Sequence, residues 1–279
     1  MGKEYAYNLR DYQLHCVKLL DAFDSVCRKH GLHYYMIAGT LLGAVRHHGF
    51  IPWDDDIDVA LLRDDYDRLI EHAAEWLPEQ FNIVTHENNP AYPKYFAKME
   101  DCSTTLIENR ALGYVGGVYI DIFPLDAVPD AKWRRNLHFY RFNLVRRLLY
   151  LAYRNPYKHG RGFGAALMVG LQKVLSKTWL NRQAQRIIRE YHGCKGCNFL
   201  MTHDDGTATY PARSVASSAL YEFEGREFFG PSDANVFLSS YYGGDFMQLP
   251  PEEKRRSHFH DYCDLTKPYA TYNPNEANV

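Results

Sequence analysis

Four carboxylates fall within five positions of the stretch Trp53-Asp54-Asp55-Asp56-Ile57-Asp58-Val59, and apolar residues bracket them on both sides. Like charges about 4 Å apart repel by about 4 kcal/mol at an effective dielectric of 20, so a chain that folds this run into apolar surroundings needs a cation there. On a strand running through Ile57 to Leu61, Asp56 and Asp58 point to one face about 7 Å apart while Ile57 and Val59 turn to the core. Both carboxylates can then converge on one or two hard divalent ions, for which Mg²⁺ with oxygen ligands and substrate phosphates is the usual case, with Mn²⁺ as a substitute. A third acid repeats the alternation in Ile120-Asp121-Ile122. An aspartate between isoleucines on a strand costs desolvation unless it is paired or metal-bound, which makes Asp121 either a third ligand or the base that activates an acceptor hydroxyl. A solvated acidic turn would not be set among apolar residues, and the Gly and bidentate Glu of an EF-hand loop are missing at their offsets.

The surrounding periodicities predict a mixed α/β (α+β) architecture, a sheet flanked by helices. Apolar residues at three- and four-residue steps from Leu9 to Cys27 read as an amphipathic helix stopped by Gly31, and Tyr34 to Ile37 as a short strand. Ala38-Gly39-Thr40 is then a strand-to-helix turn able to place backbone N–H groups against a phosphate, with a short helix over Leu41 to Arg46. Asp64 and Asp65 are placed to cap a helix that runs to Pro78, and strands are expected over Phe81 to Thr85, Tyr95 to Met99 and Val118 to Phe123. No Walker sequence and no Gly-x-Gly-x-x-Gly occurs, which removes the commonest kinase and dinucleotide readings.

Charge divides the chain more sharply than its net −2 suggests. Between Lys132 and Lys195 there are fifteen Lys and Arg residues and one acid, Glu190, so a region of +14 interrupts a remainder of −16. Two amphipathic helices, broken around Asn155-Pro156 and Gly160 to Gly164, are expected in this basic insert. The organisation read from sequence is a catalytic core over 1–130, the basic helical insert over 131–196, and a segment over 197–279 that completes the catalytic domain, ending in a frayed tail from Pro268. The insert suits peripheral docking on an anionic membrane surface, and the balanced total charge argues against a nucleic-acid partner. No apolar run approaches the ~20 residues of a spanning helix, and the start lacks the apolar core of a signal peptide, so a cytoplasmic protein, peripheral on the inner face of the membrane, is expected. The six cysteines read as reduced thiols. Cys194-Lys195-Gly196-Cys197 has the spacing of half a zinc site, with His192 and His203 nearby, but lacks a second pair.

The stretch Gly31 to Leu69, GLHYYMIAGTLLGAVRHHGFIPWDDDIDVALLRDDYDRL, resembles the signature of the LicD family of phosphocholine transferases. Val118 to Pro129, VYIDIFPLDAVP, and Phe228 to Lys254, with Tyr241-Tyr242-Gly and Leu249-Pro250-Pro251, resemble its downstream blocks, so the likeness spans most of the chain outside the basic insert. It implies a nucleotidyltransferase-like fold in which Gly39 and Thr40 match the Gly-Ser/Thr turn, Asp56 and Asp58 the acidic pair, and Asp121 the third acid. It also implies transfer of phosphocholine from CDP-choline, or of a similar phospho-alcohol from another CDP-alcohol, to a sugar of teichoic acid or lipopolysaccharide, with an acceptor that can be carried on a lipid. The related fukutin-type proteins transfer ribitol phosphate. Phosphoryl transfer needs charge neutralisation on the phosphate and the departing CMP, which places Arg46 and Lys98 near the pyrophosphate, while Trp53 and the Tyr-rich composition can supply a cation–π box for a quaternary ammonium. His47 and His48 adjoin this stretch. Two other readings stay open: an Asp-x-Asp glycosyltransferase using a nucleotide sugar, and a non-catalytic glycan- or membrane-binding protein that keeps the acidic run for structure.

Overall fold

The computed structural model describes residues 7–157, 161–204, 208–255 and 260–273. Helix α1 (Leu9–His30) is capped by the Asn8 side chain, which accepts from the Arg10 and Asp11 N–H groups, and ends on Gly31 at φ 64°, a left-handed conformation that glycine adopts without a Cβ penalty. Its buried stripe includes Tyr12, Cys16, Leu19, Phe23 and Cys27, as the periodicity predicts. Strand β1 (Tyr34–Met36) leads to helix α2 (Ala38–His47), then β2 (Asp58–Leu62), α3 (Arg63–Trp76), β3 (Phe81–Val84), β4 (Ala97–Asp101), β5 (Thr105–Ile107) and the ten-residue β6 (Tyr119–Val128).

Three helices follow, α4 (Lys132–Tyr153), α5 (Phe163–Val174) and α6 (Lys177–Ile188), where two were expected. Ser176 separates the last two because its side chain accepts from Trp179 N and so starts a new helix. The chain closes with β7 (Phe199–Met201), β8 (Tyr210–Pro211), the hairpin β9 (Ser218–Phe223) and β10 (Arg226–Pro231), α7 (Ala234–Tyr242) and β11 (Tyr262–Asp264).

The main sheet runs β1-β2-β6-β4-β3, with β7 and β8 added on the far half of β6. Only β2 and β6 pair in parallel, in the register Asp58↔Asp121 to Leu62↔Leu125; the other pairs are antiparallel. The mixed sheet flanked by helices is the expected fold class. β6 is longer than its apolar pattern suggested because β7 takes over from β4 as its neighbour beyond Ile122.

Several local expectations change. Asp64 and Asp65 lie in the first turn of α3 and do not cap it; Leu62 occupies the N-cap. Arg63 instead ties the start of α3 to β6 through a buried bidentate pair with Asp126, at 2.8 and 2.5 Å. Cys194 and Cys197 are joined in a disulfide across a turn that brings their Cα atoms to 5.6 Å, so they are neither reduced thiols nor zinc ligands. The other four cysteines are free. The tail is pinned as far as Thr271, since Tyr269 N donates to Thr104 O at 2.8 Å, and residues 274–279 lie outside the described residues. Among the described residues, no helix is long and apolar enough to cross a membrane.

Candidate active site

The register of the central strands sets three functional side chains in one row. Asp58 on β2 is level with Asp121 on β6, and Asp121 is level with Lys98 on β4, so all three share one face of the sheet. That face opens into a cleft of about 1140 Å³ whose lining includes Asp56, Asp58 and Asp121. Asp56 reaches the cleft from the loop before β2, because the strand begins at Asp58 and not at Ile57. Asp55, between Asp54 and Asp56, is fully buried.

The loop carrying the acidic run is held from three sides. Gln13 Nε2 on α1 donates to Asp54 O at 2.8 Å, Asp54 N closes a turn on Ile51 O at 2.9 Å, and Asp58 N donates to Thr40 Oγ1 at 2.8 Å. Thr40 is buried, so its hydroxyl fixes the start of β2, whereas its neighbour Gly39 lines the cleft. A Cβ at Gly39 would run into the Asp54 carboxylate, which explains why this position takes glycine. Ala38, also at the cleft, has φ 46°, a left-handed conformation that is strained for alanine.

The cleft carries an excess of negative charge. Among the described residues, seven carboxylates and three cationic side chains line the cleft. Burial raises the Asp58 carboxyl well above the usual carboxylate range, with Asp56 and Asp121 adding repulsion. Burial also lifts Asp121 to about 6, even though Lys98 and Lys94 pull it down. Ile120 and Ile122 are fully buried on the other face, and Asp121 Oδ1 is buried with no hydrogen bond, 3.4 Å from Lys98 Nζ. An orphaned carboxylate oxygen beside a second carboxylate, in a cleft with excess negative charge, fits a hard divalent cation. Asp54, Asp55 and Asp56 form a second grouping, with ligand oxygens within 4.8 Å of one another, and among the described residues it is the tightest set of three potential metal ligands.

The cations are arranged differently from the expectation. Lys98 is fully buried beside Asp121, paired with Glu108 and stacked 3.0 Å from the Tyr119 ring centroid, and does not line the cleft. Lys94, which sequence reasoning missed, lines the cleft and lies 3.4 Å from Glu108. Burial would raise the Glu108 carboxyl, but Lys98 and Lys94 outweigh it and hold the group well below the usual carboxylate range. Arg46 lines the cleft while donating to Phe246 O and Gln248 O at 3.0 and 3.3 Å, and burial lowers its pKa. Trp53 also lines the cleft, under the Arg255 guanidinium 5.2 Å from the ring centroid. His47 and His48 stay outside the cleft.

Asp204 and the edge-to-face pair Tyr241–Tyr242, with centroids 4.7 Å apart, also line the cleft. The tyrosines belong to the last of the family-like blocks, whereas nothing in sequence marked Asp204.

Residues 31–145 match the family described as LicD/FKTN/FKRP, nucleotidyltransferase domain. That span holds every site residue expected from sequence. The chain is 33% identical over 264 residues to the lipopolysaccharide cholinephosphotransferase LicD of Haemophilus influenzae, covering 90% of this chain and 95% of that protein. Two uncharacterised proteins, of Rickettsia prowazekii and Rickettsia typhi, are each 51% identical over 37 residues, 13% of this chain and 14% and 12% of theirs. With a relative matched along nearly its whole length and the domain match centred on the acidic cleft, the chain belongs to the LicD family.

Proposed function

We propose that this chain is a divalent-cation-dependent transferase of the cytoplasmic side. It would move phosphocholine from CDP-choline, or a similar phospho-alcohol from another CDP-alcohol, to a hydroxyl of a cell-surface glycan precursor such as lipopolysaccharide or teichoic acid. The observation that carries this reading is the similarity to a cholinephosphotransferase over 95% of that protein, and the acidic cleft supports it.

Asp56 and Asp58, with Asp121, would hold Mg²⁺ or Mn²⁺. When bound, the ion supplies charge neutralisation at the pyrophosphate and at the departing CMP. Among the described residues, an anionic CDP donor would otherwise meet seven carboxylates against three cations. The acceptor oxygen forms its bond to the distal phosphorus as the bond from that phosphorus to the CMP oxygen breaks, and the hydroxyl proton passes to a cleft carboxylate or to water. Lys94 and Arg46 face the pyrophosphate, and Gly39 lets the backbone at the start of α2 approach it. Trp53, Tyr241 and Tyr242 offer ring faces to a quaternary ammonium. Burial raises the Tyr242 phenol above its ordinary value.

The test is incubation with Mg²⁺ and a panel of CDP-alcohols, following CMP release and the fate of the phosphate, with Asp58→Asn as control. CMP release with the phosphate retained on the acceptor, lost in Asp58→Asn, is expected. Turnover of a nucleotide sugar without phosphate transfer would identify a glycosyltransferase, and no binding of any CDP-alcohol would remove the reading.

A further inference from the structure

The basic insert presents apolar surface to solvent. Of the sixteen large hydrophobic side chains exposed among the described residues, ten lie from Trp133 to Trp179. On α4 they are Trp133, Leu137, Tyr140, Leu144 and Tyr150, the first four spaced by four, three and four residues. At 100° per residue these four occupy an arc of about 60°. The buried side chains of the same helix, His138, Phe142, Leu149 and Tyr153, lie on the opposite side, packed on the domain. The exposed stripe is therefore a second apolar face.

The stripe continues onto the neighbouring helices. Leu144 and Arg141 share a groove of about 600 Å³ with Trp179 and Arg186 of α6. On α5, Phe163 is 86% exposed and Val174 77%, and Ala165 is the only buried residue of the helix. Gln172 Nε2 donates to Leu151 O and Arg154 O at 2.8 and 2.6 Å, which holds α5 across the end of α4. Arg134, Arg147, Arg182 and Arg186 are exposed, and among the described residues none of them pairs with a carboxylate. Exposed aromatic and aliphatic side chains interspersed with unpaired guanidinium groups, on a segment of charge +14 in a chain of net −2, match the composition of an interfacial surface for anionic lipid. Protein interfaces instead deplete charge at the core of the patch.

We propose that the face formed by α4, α5 and α6 docks peripherally on an anionic lipid bilayer, with its apolar side chains at the headgroup boundary and its arginines on the lipid phosphates. The inference does not depend on the reaction assigned to the cleft. The side of α4 away from the stripe joins the cleft wall, because Arg146 on α4 donates to Asp204 O at 3.3 Å and His138 on α4 bonds His203 at 2.8 Å.

The test is co-sedimentation of the full chain with vesicles of phosphatidylcholine alone and of phosphatidylcholine mixed with phosphatidylglycerol, together with quenching of tryptophan fluorescence by bromolipid. Binding to the mixed vesicles alone, with quenching, is expected. Arg147→Ser/Arg182→Ser/Arg186→Ser should weaken it about 100-fold, and Leu137→Ser/Leu144→Ser about tenfold, with unchanged circular dichroism. The wild-type quenching stands without either variant if one misfolds. Absence of sedimentation, binding without quenching, or a leucine variant that binds like wild type would overturn the proposal. A dimer in light scattering that the leucine variant dissociates would overturn it in favour of self-association.

Discussion

Replacing Lys98 by methionine separates two roles that the sequence did not distinguish. The ammonium is fully buried, 3.4 Å from Asp121 Oδ1 and paired with Glu108. At an effective dielectric of 20, a charge pair at that distance is worth about 5 kcal/mol before desolvation is counted. Lys98→Met recovers the desolvation of the ammonium but leaves two carboxylates facing its place, and truncating one partner of a buried pair costs about 3–5 kcal/mol. Lys94 remains 3.4 Å from Glu108, which keeps part of the compensation. The lower end, about 3 kcal/mol, is therefore expected, a fall in Tm of about 6–12 °C for a chain of this size. Thermal and urea melts read the loss, and the double variant Lys98→Met/Asp121→Asn should recover part of it through the coupling of contacting residues. Lys94→Met, by contrast, should melt close to wild type and lose nucleotide affinity. A Lys98→Met protein with wild-type Tm that loses more nucleotide affinity than Lys94→Met would refute this reasoning and return Lys98 to the cleft.

Thr40→Val keeps the side-chain shape but removes the acceptor for Asp58 N, and a buried N–H left unpaired costs about 1–3 kcal/mol. Melts should show that loss together with a smaller thermal shift on adding Mg²⁺, with Thr40→Ser close to wild type; a normal Mg²⁺ response in the valine variant would contradict it. Gly39→Ala forces the Asp54 carboxylate to move and should cost about 1–3 kcal/mol, with reduced Mg²⁺ and nucleotide response in the same titrations. At Asp101 burial acts to raise the carboxyl, but hydrogen bonds from His15, Ser103 and Gln80 outweigh it and hold the group at about 2, against an ordinary 3.8. A depressed folded pKa contributes stability above the unfolded value, lost as pH falls, so about 2 kcal/mol should disappear between about pH 4 and 2. Urea melts across that range should show this acid limb flattened in Asp101→Asn.

What was legible in sequence was local. Gly31 ends α1 as its residue type signals, and Ile120-Asp121-Ile122 announced a buried acid because alternation on a strand needs no distant partner, whereas the Asn8 cap was not read from sequence. The roles of Lys94 and Lys98 were not legible. Both lie close to the start of β4, and only the pairing of Lys98 with Glu108 and its stacking on Tyr119 bury it beside Asp121, while Lys94, before the strand, lines the cleft. Asp204 was invisible for the same reason, since β7 pairs with the far half of β6 across more than seventy residues of intervening chain. The spacing Cys194-x-x-Cys197 suits a disulfide as well as half a metal site, and the turn between them decides.

The acidic row depends on register more than on composition. Side chains alternate along a strand, so a one-residue slip of β2 against β6 would turn Val59 toward the cleft and Asp58 into the core. Three hydrogen bonds oppose that slip at the functional end of the strand: Ile37 N to Asp58 O at 3.1 Å, Asp58 N to Thr40 Oγ1 at 2.8 Å and Asp121 N to Ile57 O at 2.9 Å. Two of the three tie β2 to the turn that carries Gly39. The glycine at the cleft wall and the carboxylates on its floor are thus held as one unit, and the repulsion among those carboxylates is borne by a register that the rest of the sheet enforces. A cation in the cleft would relieve the repulsion that this register maintains.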